Sequence, residues 1–466
     1  MSCVLKNGIV IDPFNRIHGK YDVKFDDGKI IEIGHNLSGD EEKDVSDKWI
    51  IPGVIDSHVH LIKDGASARC TYKKVVETGV TTAIDFAGPA KGIVQEINEY
   101  GYGLNVGCME TISRKDSRDN SYDVSDDDIC RYFDRIMSEG ALGSKLLCGH
   151  YPITPRAIKK TIEEANARKI MIAYHVGSTE TRSDLEGMRE AVRLCGNNHM
   201  ILAHINAYCR GKIKNLYQEL EEAFEMLRQH PNIISDCHLA VMNGCFAKCI
   251  DVVPEDNIVK NCLKMSNLPE TQEGLREGIK KGIIKVIYYN DEDNGLLEGD
   301  EALKYFDEHD TNVTVSFRVN SPAAAAACMT ERRTAGGDFL IKLTGTDGGY
   351  IPRNDLLNRA LHYYGLGYLT LEEVVCKVSL NAAKAFGLKN KGHLSAGADA
   401  DITIVNPKTL MADESYIGGQ LAMSNRKAVK RPGKMLITSQ GIDYVKSQNV
   451  AFDVIDSLSS ELYMNN

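Results

Sequence analysis

The stretch Pro52-Gly53-Val54-Ile55-Asp56-Ser57-His58-Val59-His60 is an apolar run that ends in two histidines one residue apart. Side chains two positions apart on a strand point to the same side, so His58 and His60 would project together from the carboxyl end of a buried strand. Imidazoles in this arrangement are typical metal ligands. The alternative is a pair of surface histidines after a strand, which the apolar run before them disfavours.

Apolar runs of strand length recur along the middle of the chain, and helical patterns such as AIKKTIEEANAR separate most of them. The eight runs are 50–55, 81–86, 104–109, 141–147, 169–174, 200–203, 233–237 and 339–343. Their spacing is close to the roughly 30 residues of a strand–helix unit. Eight such units predict a (β/α)₈ barrel, which we place at residues 51–387. The long last interval predicts an insertion between strands seven and eight, at about 240–338.

Both ends of the chain differ from the middle. Near the start, the segments GIVID, YDVKF and KIIEIG alternate apolar and polar residues around the turn Asp26-Asp27-Gly28, and DITIV alternates again near the other end. Two β-rich ends around a long middle predict that residues 1–50 and 388–440 pair into one small β-sandwich domain outside the barrel. Residues 441–466 then form a C-terminal tail.

Composition favours an enzyme that acts on a small molecule. The chain has 466 residues, a hydrophobic fraction of 43% and a formal charge of −10. The acidic balance argues against a nucleic-acid or anionic-membrane partner, because no basic face is implied. The first residues, MSCVLKNGIVIDPFN, lack the features of a signal peptide, and no run approaches the roughly 18 apolar residues of a membrane span. We therefore expect a cytoplasmic location.

Thirteen cysteines are spread along the chain without the spacing of a disulfide framework. An odd total leaves at least one thiol unpaired. We expect most of them, including Cys3, Cys130 and Cys376, to be reduced structural thiols.

Four more candidate ligands follow later predicted strands: Lys145, His175, His204 and Asp347. Each is weak alone, because a lone histidine is often structural and an aspartate before Gly-Gly often starts a turn. Barrel enzymes, however, gather their catalytic residues from the carboxyl ends of several strands, and all four of these residues lie at the carboxyl end of a predicted strand. A solvated surface lysine is the alternative for Lys145.

Together these motifs resemble the amidohydrolase superfamily, from the N-terminal β segment through PGVIDSHVH to the tail LNAAKAFGLKNKGHLSAGADADITIVNP. The tail is similar to those of hydantoinases, dihydroorotases and D-aminoacylases. Residues 140–211, which begin GALGSKLLCGHYPITPR and include IMIAYHVGS and MILAHINAY, are most similar to D-aminoacylases and isoaspartyl dipeptidases. The resemblance implies a metal-dependent hydrolase of carbon–nitrogen bonds other than ordinary peptide bonds.

The resemblance also implies two divalent metal ions, which we expect to be zinc. By correspondence with the family motifs, His58, His60 and Asp347 are ligands of one ion. His175 and His204 are ligands of the other.

Lys145 falls where hydantoinase-like and isoaspartyl dipeptidase-like members carry a carboxylated lysine between the two ions. A carbamate supplies an anionic oxygen to each metal, whereas a free ammonium would repel both. D-aminoacylases instead bridge through a cysteine after the second strand. The corresponding stretch here, GVTTAIDFAGPAKG, contains no cysteine, which favours a carbamate on Lys145.

The implied reaction is attack of a metal-bridging hydroxide on an amide carbonyl, with Asp347 as the catalytic residue that takes the proton and passes it to the leaving nitrogen. N-acyl-D-amino acids, cyclic amides or ureides and small dipeptides all remain open as substrates. We expect the enzyme to be a homo-oligomer, as its relatives often are. Candidate substrate contacts are Tyr151 or His150 for the oxyanion, His238 after the seventh strand, and Arg210 and Arg318 for a substrate carboxylate.

Three alternatives accompany this interpretation. The segment GLREGIKKGIIKVIYYNDEDNG resembles the one before the catalytic aspartate of hydantoinases, which would place Asp291 rather than Asp347 at the eighth strand. A mononuclear metal-dependent deaminase is the nearest rival activity, but such enzymes show His-x-x-Glu after the fifth strand, where this chain has Ser178. A non-catalytic hydantoinase-like scaffold is the other class.

Overall fold

The computed structural model describes residues 1–62, 69–335 and 337–464, and its centre is a sheet of eight parallel strands that follow one another in chain order. Gly348–Gly349 adds a short ninth strand that pairs with the first, and the Asp347 N–H donates to the His58 carbonyl at 2.8 Å, so the sheet is nearly closed. The predicted (β/α)₈ barrel is confirmed. The eight strands are Val54–His60, Val80–Asp85, Asn105–Ile112, Gly143–Leu147, Met171–His175, Met200–Leu202, Ile233–His238 and Leu343–Gly345.

Helices cover the outside of the barrel, so nearly all strand residues are buried on both faces, as is usual for parallel strands. Several begin at a polar cap; Thr154, for example, accepts the Ala157 N–H, and Pro155 occupies the first turn. The helices are Cys70–Val76, Ala90–Tyr100, Asp126–Ser138, Pro155–Ala167, Leu185–Cys195, Leu216–Gln229, Pro322–Thr330, Leu356–Gly365, Leu371–Val375 and Asn381–Ala385, with a π-helical turn at Cys376–Leu380 and 3₁₀ turns at Arg114–Asp116 and Ile205–Ala207.

The apolar run predicted as one barrel strand at 50–55 is divided between two sheets. Trp49–Pro52 pairs with strands from both chain ends, and the barrel strand starts only at Val54. The change of sheet falls at Gly53, where a Cβ atom would lie 2.3 Å from Thr81 Oγ1, so only glycine fits without a shift. The last barrel strand also begins later than predicted, at Leu343 instead of 339.

Strands from both ends of the chain form one nine-stranded sheet outside the barrel. Trp49–Pro52 joins them, because it is parallel to Cys3–Asp12 and antiparallel to Ile402–Asn406. The sheet packs on its own apolar core, in which the ring centroids of Phe25 and Tyr416 lie 5.5 Å apart. Its strands are Cys3–Asp12, Ile17–Asp26, Lys29–Gly34, Glu41–Asp44, Trp49–Pro52, Ile402–Asn406, Met411–Ile417, Gln420–Ser424 and Lys427–Ala428.

The segment after this sheet returns to the barrel. Lys434–Ile437 pairs with the third barrel strand and with Ala451–Val454. The last helix is fixed by Tyr463, whose hydroxyl donates to the Ile170 carbonyl at 2.5 Å. The remaining elements are the helices Ile442–Ser447 and Glu461–Met464 and the 3₁₀ turns Ser439–Gly441 and Ser457–Ser459.

The interval between the seventh and eighth barrel strands folds into a compact unit with its own apolar core. Four antiparallel strands form its sheet in the order Cys245–Phe246, Thr314–Phe317, Ile284–Tyr289 and Asn294–Leu297. A small hairpin pairs Cys249–Ile250 with Val253–Pro254, and the helices are Asn257–Met265, Gln272–Lys280 and Gly299–Glu308. In the described parts of the chain, no helix combines the length and the apolar character needed to cross a membrane.

Candidate active site

A cavity of about 220 Å³ lies at the carboxyl ends of the barrel strands, between the barrel and the insertion. Two of the residues predicted from the sequence, His58 and Lys145, are buried beside it. Eight of them line its wall: His60, His150, Tyr151, His175, His204, Arg210, His238 and Asp347.

His58, His204 and Asp347 form the group that best fits a metal ion. One ligand atom from each lies within 4.8 Å of the others. The Asp347 Oδ1 atom is 2.9 Å from His60 Nε2 and 3.5 Å from His58 Nε2. Both Asp347 and His204 adopt left-handed backbone angles, with φ of 50° and 31°, directly after their strands. Imidazole and carboxylate donors at this separation suit a divalent ion such as zinc.

His175 and His204, which the resemblance assigns to the second ion, are neighbours with ring centroids 4.5 Å apart. Burial, together with nearby positive groups, holds the pKa of each well below its usual value. Both are therefore neutral, which is the form that binds metal. The His175 Nε2 atom is 3.0 Å from Ser183 Oγ, so this nitrogen faces a hydroxyl rather than the cluster.

Lys145 is completely buried, and among the described residues its ammonium group has no hydrogen-bond partner. Its Nζ atom lies 4.5 Å from the centre of the Phe86 ring. Burial lowers the pKa of Lys145 to about 8, although Asp236 and Asp347 act in the opposite direction. An unpaired buried ammonium is costly, and the neutral amine is the form that can add CO₂. The position therefore fits a carbamate, and its burial contradicts a solvated surface lysine.

Asp236 is a site residue that the sequence interpretation missed. Its Oδ2 atom accepts a hydrogen bond from His58 Nδ1 at 2.8 Å, and its Oδ1 atom accepts the backbone N–H of His204. A carboxylate on the far nitrogen of a ligating histidine fixes the tautomer and the ring orientation. The signal was present, because Asp236 and His238 are two apart on one strand and point to the same side.

Arg353 is the second missed residue. Its guanidinium is 2.5 Å from Asp347 Oδ2, and its Nε donates to the Asp347 carbonyl at 2.7 Å. Burial alone would raise the pKa of Asp347, but Arg353 and the histidines hold it well below its usual range. No sequence pattern distinguishes this arginine from its neighbours, because its role depends on the turn after the eighth strand.

Arg210 and His238 present polar groups to the cavity. Arg210 donates from Nε and Nη2 to Asn320 Oδ1 at 3.1 and 2.8 Å, and among the described residues no carboxylate lies within ion-pair distance of it. The Nδ1 atom of His238 has no hydrogen-bond partner in the part of the chain that the structure describes. Burial, with Arg353 and Arg210 nearby, lowers the pKa of His238 to about 3. The wall thus offers a cation and a neutral imidazole.

His150 connects the cavity to the insertion. Its Nδ1 atom is 2.9 Å from Asp256 Oδ2, which also accepts the Phe246 N–H at 3.0 Å. Burial lowers the pKa of His150, but Asp256 outweighs it and the net shift is upward. Tyr151 lies at the rim of the cavity and is 47% exposed.

Two further sequence candidates lie away from the cluster. Arg318 is exposed after the strand Thr314–Phe317 and is not part of the cavity wall. Asp291, the alternative for the eighth strand, occupies an exposed turn of the insertion 3.4 Å from Arg69. Of the two aspartates, Asp347 is the one beside the histidines. The hydantoinase-like segment before Asp291 forms the insertion strand Ile284–Tyr289, not a barrel strand.

Comparison with known proteins agrees with this fold. The model of the amidohydrolase family matches residues 49–435. A dihydroorotase of Pelotomaculum thermopropionicum is 25% identical over 436 residues, which cover 87% of this chain and 89% of that protein. A D-aminoacylase crystal structure has a TM-score of 0.67 at 15% identity and covers 93% of this chain and 99% of its own. The dihydropyrimidinase of Brevibacillus agri has a TM-score of 0.60 at 15% identity, with 93% and 98% covered.

The barrel has the fold of these hydrolases, and its group of His58, His204 and Asp347 could hold a metal ion. The family match extends over most of the sequence, and the chain belongs to the amidohydrolase family. It is a hydrolase that acts on carbon–nitrogen bonds.

Proposed function

We propose that this enzyme uses a divalent metal pair to cleave an amide-type bond in a small molecule that carries a carboxylate. The observation that carries the proposal is the meeting of His58, His204 and Asp347 from three different strands, near the buried Lys145, whose ammonium has no hydrogen-bond partner among the described residues. N-acyl-D-amino acids, cyclic amides or ureides and small dipeptides are the candidate substrates. The cavity of about 220 Å³ is small for a ligand site, which favours a small substrate.

The metal site would use the donors that the fold collects. By the family correspondence, His58, His60 and Asp347 would hold one ion and His175 and His204 the other, with a carbamate on Lys145 as a ligand of both. One ligand atom of His204 lies within 4.8 Å of those of His58 and Asp347, so the two sites would be immediate neighbours. A bound divalent ion supplies polarisation of the scissile carbonyl and an activated water. His175 would have to release Ser183 and turn toward His204, whose ring centre is 4.5 Å away.

Asp347 is our candidate for proton transfer. Its Oδ2 atom is held by Arg353, so Oδ1, which faces His58 and His60, is the oxygen that would hold the proton. Arg353 keeps the carboxylate ionised and therefore ready to accept a proton. The same carboxyl would then deliver the proton to the leaving nitrogen. His150 or Tyr151, across the cavity, would stabilise the oxyanion.

Substrate binding is assigned to Arg210 and His238. The half-buried guanidinium of Arg210 has only the amide oxygen of Asn320 as a polar acceptor among the described residues. A carboxylate would complete its hydrogen bonding and neutralise its charge. The neutral His238 offers one further hydrogen bond. This arrangement favours substrates with a free carboxylate over uncharged amides.

An assay of three substrate panels with the metal-loaded enzyme tests this proposal. We expect turnover of a carboxylate-bearing amide. Arg210→Gln should raise its KM roughly 10- to 100-fold, because the substrate carboxylate loses a hydrogen bond to a charged group. Arg318→Gln is the matched control, because that arginine is exposed and outside the wall. Turnover of aminopurines or cytosine alone, or equal KM values for the two variants, would contradict the proposal.

A mononuclear deaminase is the second candidate, and one observation favours it. Within the described residues, only one group of three potential ligands lies close enough for a single ion. Ser178 stands where deaminases of this fold carry a glutamate, which argues the other way. One ion per chain at full activity would support this second candidate.

The identity of the metal, the cellular location and the oligomeric state are parts of the same proposal. Histidine and carboxylate donors favour zinc as the metal. All thirteen cysteines are free thiols, which supports a reducing cytoplasmic location. A homo-oligomer remains our expectation, and light scattering of the purified protein measures it directly.

A further inference from the structure

Two buried cysteine thiols share one hydrogen-bond donor where the insertion forms the wall of the cavity. Cys245, on the strand Cys245–Phe246, lines the cavity, and Cys262 lies on the helix Asn257–Met265. The Asn243 Nδ2 atom is 3.3 Å from Cys262 Sγ and 3.9 Å from Cys245 Sγ. One amide nitrogen therefore reaches both sulfurs, and the Cys245 thiol itself donates to the Val315 carbonyl at 3.7 Å. We propose that Cys245 and Cys262 are a redox-active pair that closes to a disulfide in the cavity wall.

The surroundings of Cys262 favour its thiolate. The neighbouring Cys245 thiol lowers the pKa of Cys262, and the positive charges of Arg210 and Lys212 add to this effect against the influence of burial. Burial and the neighbouring Cys262 raise the pKa of Cys245, so its thiol keeps its proton. Every other cysteine in the described chain has a raised pKa, as Cys195 and Cys209 show. Because thiolates are the reactive form, Cys262 is the cysteine most ready to be oxidised.

Hydrogen peroxide is a sufficient oxidant and is small enough to enter the cavity beside Cys245. The Cys262 thiolate attacks one peroxide oxygen, the O–O bond breaks, and the hydroxide released takes up a proton to become water. The Cys245 sulfur then attacks the sulfenic acid on Cys262. An S–S bond forms, the S–O bond breaks, and a second water leaves with the Cys245 proton. Two thiols are oxidised, and one peroxide is reduced to two waters.

The disulfide would change the contacts that connect the insertion to the residues of the cavity wall. Asp256 begins the helix that carries Cys262, accepts the N–H of Phe246 next to Cys245, and binds His150. A disulfide holds its two sulfur atoms at about 2.05 Å and fixes the torsion angle of the S–S bond, so the two thiols must approach each other. Because the strand and the helix must adjust around Asp256, we expect His150 to move with them. This effect on turnover rests on the proposed function.

Peroxide treatment of the metal-loaded full-length enzyme tests the pair. After the remaining thiols are alkylated, peptide mapping should find Cys245 linked to Cys262, with the loss of two hydrogen atoms, before any other cysteine pair. We expect kcat/KM to fall roughly tenfold, equivalent to about 1.4 kcal/mol, and to recover with dithiothreitol. The cross-link is measured by mass, so it is independent of whether the proposed substrate is turned over.

Two variants provide the comparison. Cys262→Ser should abolish the cross-link and the peroxide sensitivity, and Cys245→Ser gives a second test if the first variant folds poorly. Cys249→Ser is the matched control, because Cys249 is a half-buried cysteine of the same insertion. The proposal is overturned if peroxide oxidises Cys249 while Cys245 and Cys262 stay reduced. It is also overturned if Cys262→Ser retains the full peroxide sensitivity of kcat/KM.

Discussion

Single residues decide how well the site can hold metal. His58 and His204 come from different strands, and Asp236 binds both, one through its ring and the other through its backbone. The six ligand candidates could be predicted from the sequence because each lies within or just after an apolar run that forms a barrel strand. The position of Asp236, two residues before His238, was visible in the same way, but its contacts with His58 and His204 were not, and Arg353 has no sequence signal at all. Local patterns do not contain those contacts.

The contacts of Asp236 lead to a prediction for metal affinity. Asp236→Asn keeps the shape but replaces a carboxylate acceptor with an amide, so His58 loses its charge-assisted hydrogen bond. We expect metal affinity, measured by competition with a chelator, to fall roughly 10- to 100-fold. Asp291→Asn, in the exposed turn, should leave it unchanged. Equal affinities in the two variants would show that Asp236 does not position the ligand.

At the scale of elements, the sequence predicts the barrel strands well and the joints between elements less well. The run at 50–55 reads as one strand, yet Trp49–Pro52 and Val54–His60 lie in different sheets. The hydrophobic pattern of a sequence predicts only which residues are buried. Because Trp49–Pro52 and Val54–His60 are both buried, the pattern cannot show that they belong to different sheets. The crowding around Gly53 decides the division, and it exists only in the folded chain.

The π-helical turn Cys376–Leu380 is a second joint, and it docks under the last barrel strand. Ser379 Oγ donates to the Gly53 carbonyl at 2.7 Å, and Asn381 Nδ2 to that of Lys342 at 3.0 Å. Lys377 donates to the Ile341 carbonyl and is completely buried. Burial lowers the pKa of Lys377 from 10.5 to about 8. At neutral pH Lys377 is therefore a buried charged group, and the cost of burying its charge destabilises the fold.

This burial predicts a pH-dependent stability. Between pH 8 and 10.5 the unfolded chain holds the Lys377 proton while the folded chain has lost it, so the free energy of unfolding rises with pH in that window. We expect wild type to gain up to about 3 kcal/mol relative to Lys377→Met across it. Urea titrations at several pH values measure the difference. Parallel curves for the two proteins would mean that Lys377 does not titrate there.

At the scale of the whole molecule, the barrel and the insertion enclose the cavity, and the sheet from the two chain ends lies outside it. The barrel supplies the histidines and Asp347, and the insertion supplies Cys245 and Asp256. The sheet from the two chain ends is joined to the first barrel strand through Gly53. The sequence predicts the barrel because its repeat is regular. The fold of the insertion could not be predicted, since its short strands and helices follow no repeat and form their sheet out of chain order.

The central claim is that a metal pair, bridged through Lys145, hydrolyses a carbon–nitrogen bond in this cavity. Its most direct test is the metal content per chain, measured together with turnover of carboxylate-bearing amides after reconstitution with zinc and bicarbonate. We predict two ions per chain in wild type, at most one in Lys145→Met, and turnover that disappears with chelation and returns with metal. A wild-type protein that takes up no ion, or turnover that survives complete chelation, would contradict the account.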